Sequence, residues 1–137
     1  MSGLAAVLAG HHPPGVFTWH SALPVEDVAH AVEHAGRRFG YVDGWTAQTK
    51  EEFLTAVADA LDFPDHFGRN LDAFADCLRA VDGTVLLWDG WSTLARGDAH
   101  TFTLVRTILA ERAAAAGSFV ALLRGEGPDL DVVESLD

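Results

Sequence analysis

LDFPDHFGRNLDAFADCL, residues 61–78, is the stretch that decides the fold of this chain. It ends one helix, turns at Pro64 and Gly68, and starts a second helix. Asn70 is a suitable N-cap for the second helix, because its side-chain oxygen can accept a hydrogen bond from a backbone N–H of the first turn. The apolar residues of that helix form one wide face: Leu71, Phe74, Ala75, Cys77, Leu78 and Val81. The stretch therefore predicts two helices joined by a short loop.

Regular elements are predicted on both sides of this stretch. Thr49 and Glu52 have the spacing of a capping box, and apolar residues follow them at helical spacing: Phe53, Leu54, Val57 and Leu61. Residues 84–88 read TVLLW, a run typical of a strand that is covered on both faces, which favours a parallel sheet. A long helix is predicted for residues 98–116, and a final buried strand for residues 119–123.

The N-terminal part predicts a strand at residues 16–19, a helix at 27–35 and a strand at 37–42. Strands separated by helices indicate right-handed βαβ crossovers, so we expect an α/β fold with a small parallel sheet. Residues 1–10 are expected to be frayed or loosely docked. Residues 125–137 are expected to form a surface tail, in which three apolar residues could dock: Leu130, Val132 and Val133.

Composition narrows the class of protein. Of 137 residues, 49% are hydrophobic, yet no stretch approaches the ~20 apolar residues of a membrane-spanning helix, so we expect a soluble protein that binds no membrane. Residues 1–10 also lack the basic start and long apolar run of a secretory signal. Cys77 is the only cysteine and cannot form an internal disulfide, which fits a cytoplasmic location.

The charge balance bears on the partner. The formal net charge of −11 repels nucleic acid and favours a basic protein partner, although an acidic surface also serves solubility alone. Trp88 lies in an apolar strand and Phe102 at helical spacing, so we assign both to the core rather than to a platform for stacking bases. We therefore expect no direct contact with nucleic acid.

Asp72 and Asp76 are the acidic residues of greatest interest. They lie four residues apart on one helix face, where two like charges destabilise an isolated helix by roughly 0.2–0.5 kcal/mol. Asp72 is favoured by the helix dipole because it falls in the first turn. Asp76 has no such explanation, and the simplest interpretation is a solvated side chain paired with Arg79.

An enzyme or metal site has weaker support. His66 lies near Asp72 and Asp76 in sequence, and His30 and His34 form an i,i+4 pair, so acid–base chemistry or metal binding is one hypothesis. However, the chain contains no HExxH, CxxC, nucleophile elbow, Walker or GxGxxG pattern. We expect no catalytic activity, no bound metal and no cofactor.

The order Gly68-Arg69-Asn70-Leu71-Asp72-Ala73, followed by Asp76-Cys77-Leu78, resembles the barstar family of intracellular ribonuclease inhibitors. The resemblance implies a small three-stranded parallel sheet with helices packed on it, over residues 37–125. Residues 1–36 would add an edge strand and a helix, and residues 126–137 a tail, all within one domain of residues 1–137. The protein would be a monomer in its free state.

The resemblance also implies a function. Family members bind small secreted guanyl-specific ribonucleases of the barnase type one-to-one, and this loop and helix enter the basic active site of the nuclease. By position, Asp76 matches the aspartate that replaces the substrate phosphate, and Asp72 matches a second acidic contact. The residues expected to bind the partner are His66, Gly68, Arg69, Asn70, Asp72, Ala75 and Asp76. A further acidic contact from the long helix would map near Glu111 or Arg112.

Three positions depart from the family pattern. His66 replaces an aromatic residue of the loop, Ala75 replaces a tryptophan of the helix, and Arg69 replaces an acidic residue. The first two changes remove contact area, and the third places a positive charge beside a surface that should meet a basic cleft. An alternative hypothesis therefore keeps the barstar-like fold as an interaction module with a different, non-nuclease partner.

Overall fold

The structure, a computed structural model, describes residues 3–131 and 133–136. Its elements in chain order are α1 Gly3–Leu8, β1 Val16–Trp19, α2 Val25–His34, β2 Arg38–Asp43, α3 Lys50–Leu61, α4 Leu71–Leu78, β3 Thr84–Asp89, α5 Ser92–Gly97, α6 Ala99–Ala114, β4 Phe119–Arg124 and β5 Glu134–Ser135. Strands alternate with helices, which confirms the α/β class. The short helices α1 and α5 do not follow from the sequence pattern, because six residues are too few for a clear helical period.

The strands form one sheet in the order β2-β3-β4-β1-β5, and every neighbouring pair is parallel. The sheet has five strands rather than the three that the resemblance implies. The predicted N-terminal strand β1 pairs with the outer side of β4, and β5 pairs with β1, so β1 is not an edge strand. A sheet ending at β4 would leave a row of unpaired N–H and C=O groups. β1 pairs with that row and buries Phe17 and Trp19 there.

The sheet separates two cores. All six residues of β3 are buried, as the sequence predicts, and they alternate between the two faces. Leu86 and Trp88 belong to a core shared with α3, α4, α5 and α6, where the Trp88 and Phe102 ring centroids lie 5.8 Å apart. Val85 and Leu87 belong to a second core shared with α1 and α2. The candidate site lies on the first of these faces.

The N-terminal segment is packed, which corrects one expectation. α1 buries Leu4 and Val7 in the core that also contains α2. The predicted frayed or loosely docked N-terminus is therefore wrong over residues 3–8, while residues 1–2 lie outside the described chain. Burial of these two apolar side chains gives the short helix the tertiary support that it lacks in isolation.

The C-terminal segment corrects a second expectation. Residues 125–137 are not only a surface tail, because Leu136 is buried against α1 and its N–H donates to the Thr18 carbonyl at 2.8 Å. Leu130 packs partly buried against the other core, and Val132 lies outside the described residues. The sequence pattern misses this docking because a two-residue strand shows no alternation.

Candidate functional site

The loop between α3 and α4 has a constrained backbone. Asp62 ends α3 with φ 56°, and Arg69 has φ 52°; these are the non-glycine residues with positive φ in the described part of the chain. Between them, the Phe67 N–H donates to the Pro64 carbonyl at 2.9 Å. Left-handed backbone at residues with a Cβ is disfavoured, so the loop conformation must be held by its surroundings.

Aromatic packing supplies that support. Phe63 and Phe67 lie edge to face with ring centroids 5.2 Å apart, and Phe63 lies 6.3 Å from Phe74 of α4. Phe74 is fully buried, and its ring centroid lies 5.8 Å from that of Phe53 of α3. The loop therefore turns its aromatic side chains towards the core, and its polar residues remain at the surface.

Helix α4 begins as the sequence predicts. The Asn70 side chain accepts a hydrogen bond from the Ala73 N–H at 2.8 Å, which confirms its role as N-cap. Phe74 and Leu78 bury one side of the helix completely. The opposite side faces solvent, and on it both aspartates, Asp72 and Asp76, are exposed.

The predicted binding residues lie together on the loop and on the first two turns of α4. We call this the α4 surface: His66, Gly68, Arg69, Asn70, Asp72, Ala75 and Asp76. All of them are exposed except Ala75, which is half-buried. Within the described residues Arg69 and Asp72 take part in no ion pair, whereas Asp76 pairs with Arg79 at 2.5 Å. The pairing of Asp76 with Arg79 is the simplest interpretation of the sequence, and the structure contains it.

Arg112 of α6 attaches the C-terminal end of α4 to the rest of the fold. Its Nε donates to the carbonyls of Leu78 at 3.2 Å and Val81 at 2.9 Å, and Nη1 donates to the Ala116 carbonyl at 3.2 Å. Only 7% of Arg112 is exposed. Arg112, one of the two candidates on the long helix, is therefore internal. The other candidate, Glu111, is exposed at the surface. Sequence reasoning missed this internal role because the acceptors are more than 30 residues away from Nε.

A concavity of about 420 Å³ lies between α4 and α6. Its lining consists of three small side chains and three long charged ones: Ala75, Ala115, Ala116, Arg79, Glu111 and Arg112. Because Ala75 carries only a methyl group, this space remains open beside the α4 surface. Glu111 forms no ion pair within the described residues.

A second polar cluster lies at the carboxyl edge of the sheet, and sequence reasoning did not find it. Arg124 of β4 binds Asp89 of β3 through two hydrogen bonds of 2.6 and 2.9 Å, and Arg124 also lies over the Trp19 ring at 5.6 Å. The Tyr41 hydroxyl donates to Asp89 at 3.1 Å. Burial, followed by the charge of Asp89, raises the pKa of Tyr41 to about 12. The carboxylate and the guanidinium satisfy each other, so the cluster is structural.

Within residues 3–131 and 133–136, no three His, Cys, Asp or Glu side chains are grouped so that they could hold a metal ion. Over the same residues, no helix combines the length and apolar character needed to cross a bilayer. His30 and His34 are exposed on α2, which packs on the sheet face opposite α4.

Part of the chain is similar to a curated protein of another organism. A protein of Bacillus subtilis (strain 168) named "Putative ribonuclease inhibitor YrdF" is 49% identical over 37 residues, which are 27% of this chain and 41% of that protein. The chain thus spans about two-fifths of the length of this curated relative.

Similarity to a solved structure concerns the fold alone. The structure of the Aeropyrum pernix ORC2 protein (ADPNP-ADP complexes) has a TM-score of 0.53 and 16% identity. The similarity covers 90% of this chain and 38% of that chain.

Residues 37–131, which include the loop, α4, β3, α6 and β4, match the family described as Barstar (barnase inhibitor). The chain belongs to the barstar family.

Proposed function

We propose that this protein inhibits a small secreted guanyl-specific ribonuclease of the barnase class by covering its active site with the α4 surface. The observation that carries the proposal is the exposure of Asp72 and Asp76 on one side of a helix whose other side is fully buried. Family membership and the relative named as a ribonuclease inhibitor support the same function. The protein would act as a monomer, one-to-one, in the cytoplasm of the cell that makes the nuclease.

The chemistry follows from the charge of a ribonuclease cleft. Such a cleft binds RNA phosphates with arginine, lysine and histidine side chains, and a carboxylate can accept the same charge-assisted hydrogen bonds. Asp76 would take the place of the phosphate, and Asp72, one turn earlier, would make a second acidic contact. Glu111 of α6 is exposed and lines the concavity beside Ala75. Inhibition by occlusion requires no catalytic residue, metal or cofactor in the inhibitor.

Long-range charge would assist the encounter. The formal net charge of −11 attracts a basic protein, and such steering raises association rates mainly at low ionic strength. The contacts that determine the lifetime of the complex are instead the desolvated ones at the centre of the interface. We place Asp76 in that group.

The remaining residues of the α4 surface have supporting roles in this proposal. Gly68 and Asn70 shape the loop and start the helix, since the Asn70 side chain both caps α4 and donates to the Gly68 carbonyl at 3.4 Å. His66 and Ala75 would contact the nuclease directly. Arg69, which is exposed and forms no ion pair within the described chain, requires an acidic or neutral group opposite it.

Arg69 and Ala75 also favour a second candidate function, that of a barstar-fold interaction module with a non-nuclease partner. Arg69 opposes a uniformly basic cleft, and Ala75 leaves a concavity where the family pattern has a tryptophan. A partner with mixed charge and a protruding side chain would fit these two features.

Calorimetric titration with a barnase-type ribonuclease tests the proposed function. We expect one-to-one binding that Asp76→Ala weakens by at least about thirtyfold, because a central charge pair of the interface is lost. Glu33→Ala is the matched control, since Glu33 is an exposed acid on α2, which packs on the other face of the sheet. Equal effects of the two substitutions would exclude the α4 surface, and absence of binding would favour the interaction module.

A further inference from the structure

The carboxylate that we place at the centre of the interface is already occupied. Asp76 pairs with Arg79 at 2.5 Å, although both side chains are largely exposed, at 67% and 76%. Arg79 lies one turn after Asp76 on the same helix, so the pair is intrahelical and forms without a partner. A cation of a nuclease that approaches Asp76 must therefore displace the Arg79 guanidinium.

The structure offers Arg79 a second acceptor. Arg79 and Glu111 line the same concavity between α4 and α6, and the methyl groups of Ala75, Ala115 and Ala116 leave it open. Glu111 is exposed and forms no ion pair within residues 3–131 and 133–136. The Arg79 side chain is long and largely exposed, so neighbouring side chains do not fix it beside Asp76.

We propose that Arg79 is an intramolecular competitor that occupies Asp76 in the free protein and transfers to Glu111 when the partner binds. This inference depends on the proposed function, because it describes how the same site is regulated. Arg79 is a positioning residue in this scheme: it acts through Asp76 and makes no contact with the reacting groups of the nuclease. Glu111 then binds Arg79 rather than the partner.

The size of the effect follows from the exposure of the pair. Exposed ion pairs contribute little, so displacement of Arg79 should change the dissociation constant only about two- to fivefold. The competition nevertheless acts on the residue that matters most for binding. The cost applies only to partners that bind through Asp76, because a protein that binds elsewhere leaves the pair with Arg79 intact.

A double-mutant cycle on affinity for a barnase-type ribonuclease tests the transfer. The proteins are the wild type, Arg79→Gln, Glu111→Gln and the double variant, all titrated by calorimetry at low ionic strength. We expect Arg79→Gln to tighten binding about two- to fivefold. Glu111→Gln should weaken binding when Arg79 is present, and the weakening should largely disappear in the Arg79→Gln background.

Arg69→Gln is the matched control, because Arg69 is likewise an exposed arginine, lies on the α4 surface and has no ion pair within the described chain. Its removal should leave the cost of Glu111→Gln unchanged. An equal loss of affinity on Glu111→Gln with and without Arg79 would overturn the proposal and assign Glu111 to direct contact with the nuclease. Unchanged or weaker binding by Arg79→Gln would also overturn the proposal. If Asp76→Ala binds as well as the wild type, the proposed function itself fails, and the role that we propose for Arg79 fails with it.

Discussion

Two arginine–aspartate pairs of this protein have similar short contacts and different surroundings. Arg124 and Asp89 are mostly buried, with side-chain exposures of 12% and 13%, and a tyrosine and two backbone carbonyls complete their hydrogen bonds. Arg79 and Asp76 are exposed and have only each other. The buried pair connects β3, β4 and the segment that follows β1. The exposed pair connects nothing beyond its own helix, so Asp76 remains able to exchange Arg79 for a cation of a partner.

Removal of one member of the buried pair should give the largest effect. Asp89→Ala leaves Arg124 buried without a counter-charge, and we expect the free energy of unfolding to fall by about 3–5 kcal/mol. Urea denaturation monitored by circular dichroism measures this change. Replacement of both partners by apolar residues, as in Asp89→Leu with Arg124→Met, should cost less than Asp89→Ala alone. A loss below about 1 kcal/mol for Asp89→Ala would show that this pair behaves like an exposed one.

Titration of Tyr41 tests the same cluster, and we expect an effect of intermediate size. Tyr41 is the only tyrosine, so the phenolate absorbance of the folded protein reports this residue alone. We expect half-formation of the phenolate near pH 12, because burial and Asp89 raise the pKa of Tyr41 to about 12. The raised pKa means that the protonated phenol stabilises the fold fully below pH 10, its ordinary pKa, and that this contribution is lost as the pH rises towards 12.

Asp89→Asn provides the control for this titration. It should lower the pKa of Tyr41 without restoring the ordinary value of 10.0, since burial remains as the largest cause. Formation of the phenolate near pH 10 in the folded wild type would contradict the buried arrangement.

The smallest effect on stability is expected at the exposed pair. Asp76→Ala and Arg79→Ala should each change the free energy of unfolding by less than about 1 kcal/mol, because solvent screens both charges. The same urea titrations measure both variants beside Asp89→Ala. A loss of several kcal/mol from either substitution would mean that the pair is structural and that Asp76 is not free to bind a partner.

Local sequence signals predicted the elements that position the site. The capping box is present, with the Glu52 N–H donating to the Thr49 hydroxyl at 3.1 Å, and Asn70 caps α4. The spacing of Asp72 and Asp76 placed both on one helix face, and the structure exposes both. These features depend on residues three or four apart, which a sequence shows directly.

Features that depend on distant residues were not predictable in the same way. The position of β1 between β4 and β5 arises from pairing across about 100 residues, and Arg112 reaches carbonyls that precede it by more than 30. The concavity beside Ala75 depends on how α6 packs against α4, which no local pattern contains. The roles of the α4 residues and the single-domain boundaries remain predictions.

The two-residue strand β5 has a consequence for behaviour at high concentration. A sheet that ended at β1 would offer a row of free backbone groups along Val16–Trp19, a template for pairing between molecules. β5 covers part of that row and presents Glu134 and Ser135, both exposed, at the new edge. A strand this short, with a charged side chain, is a poor surface for further strand addition. Glu134 and Ser135 thus cover part of the sheet edge against strand addition, a role separate from the recognition that we propose for α4.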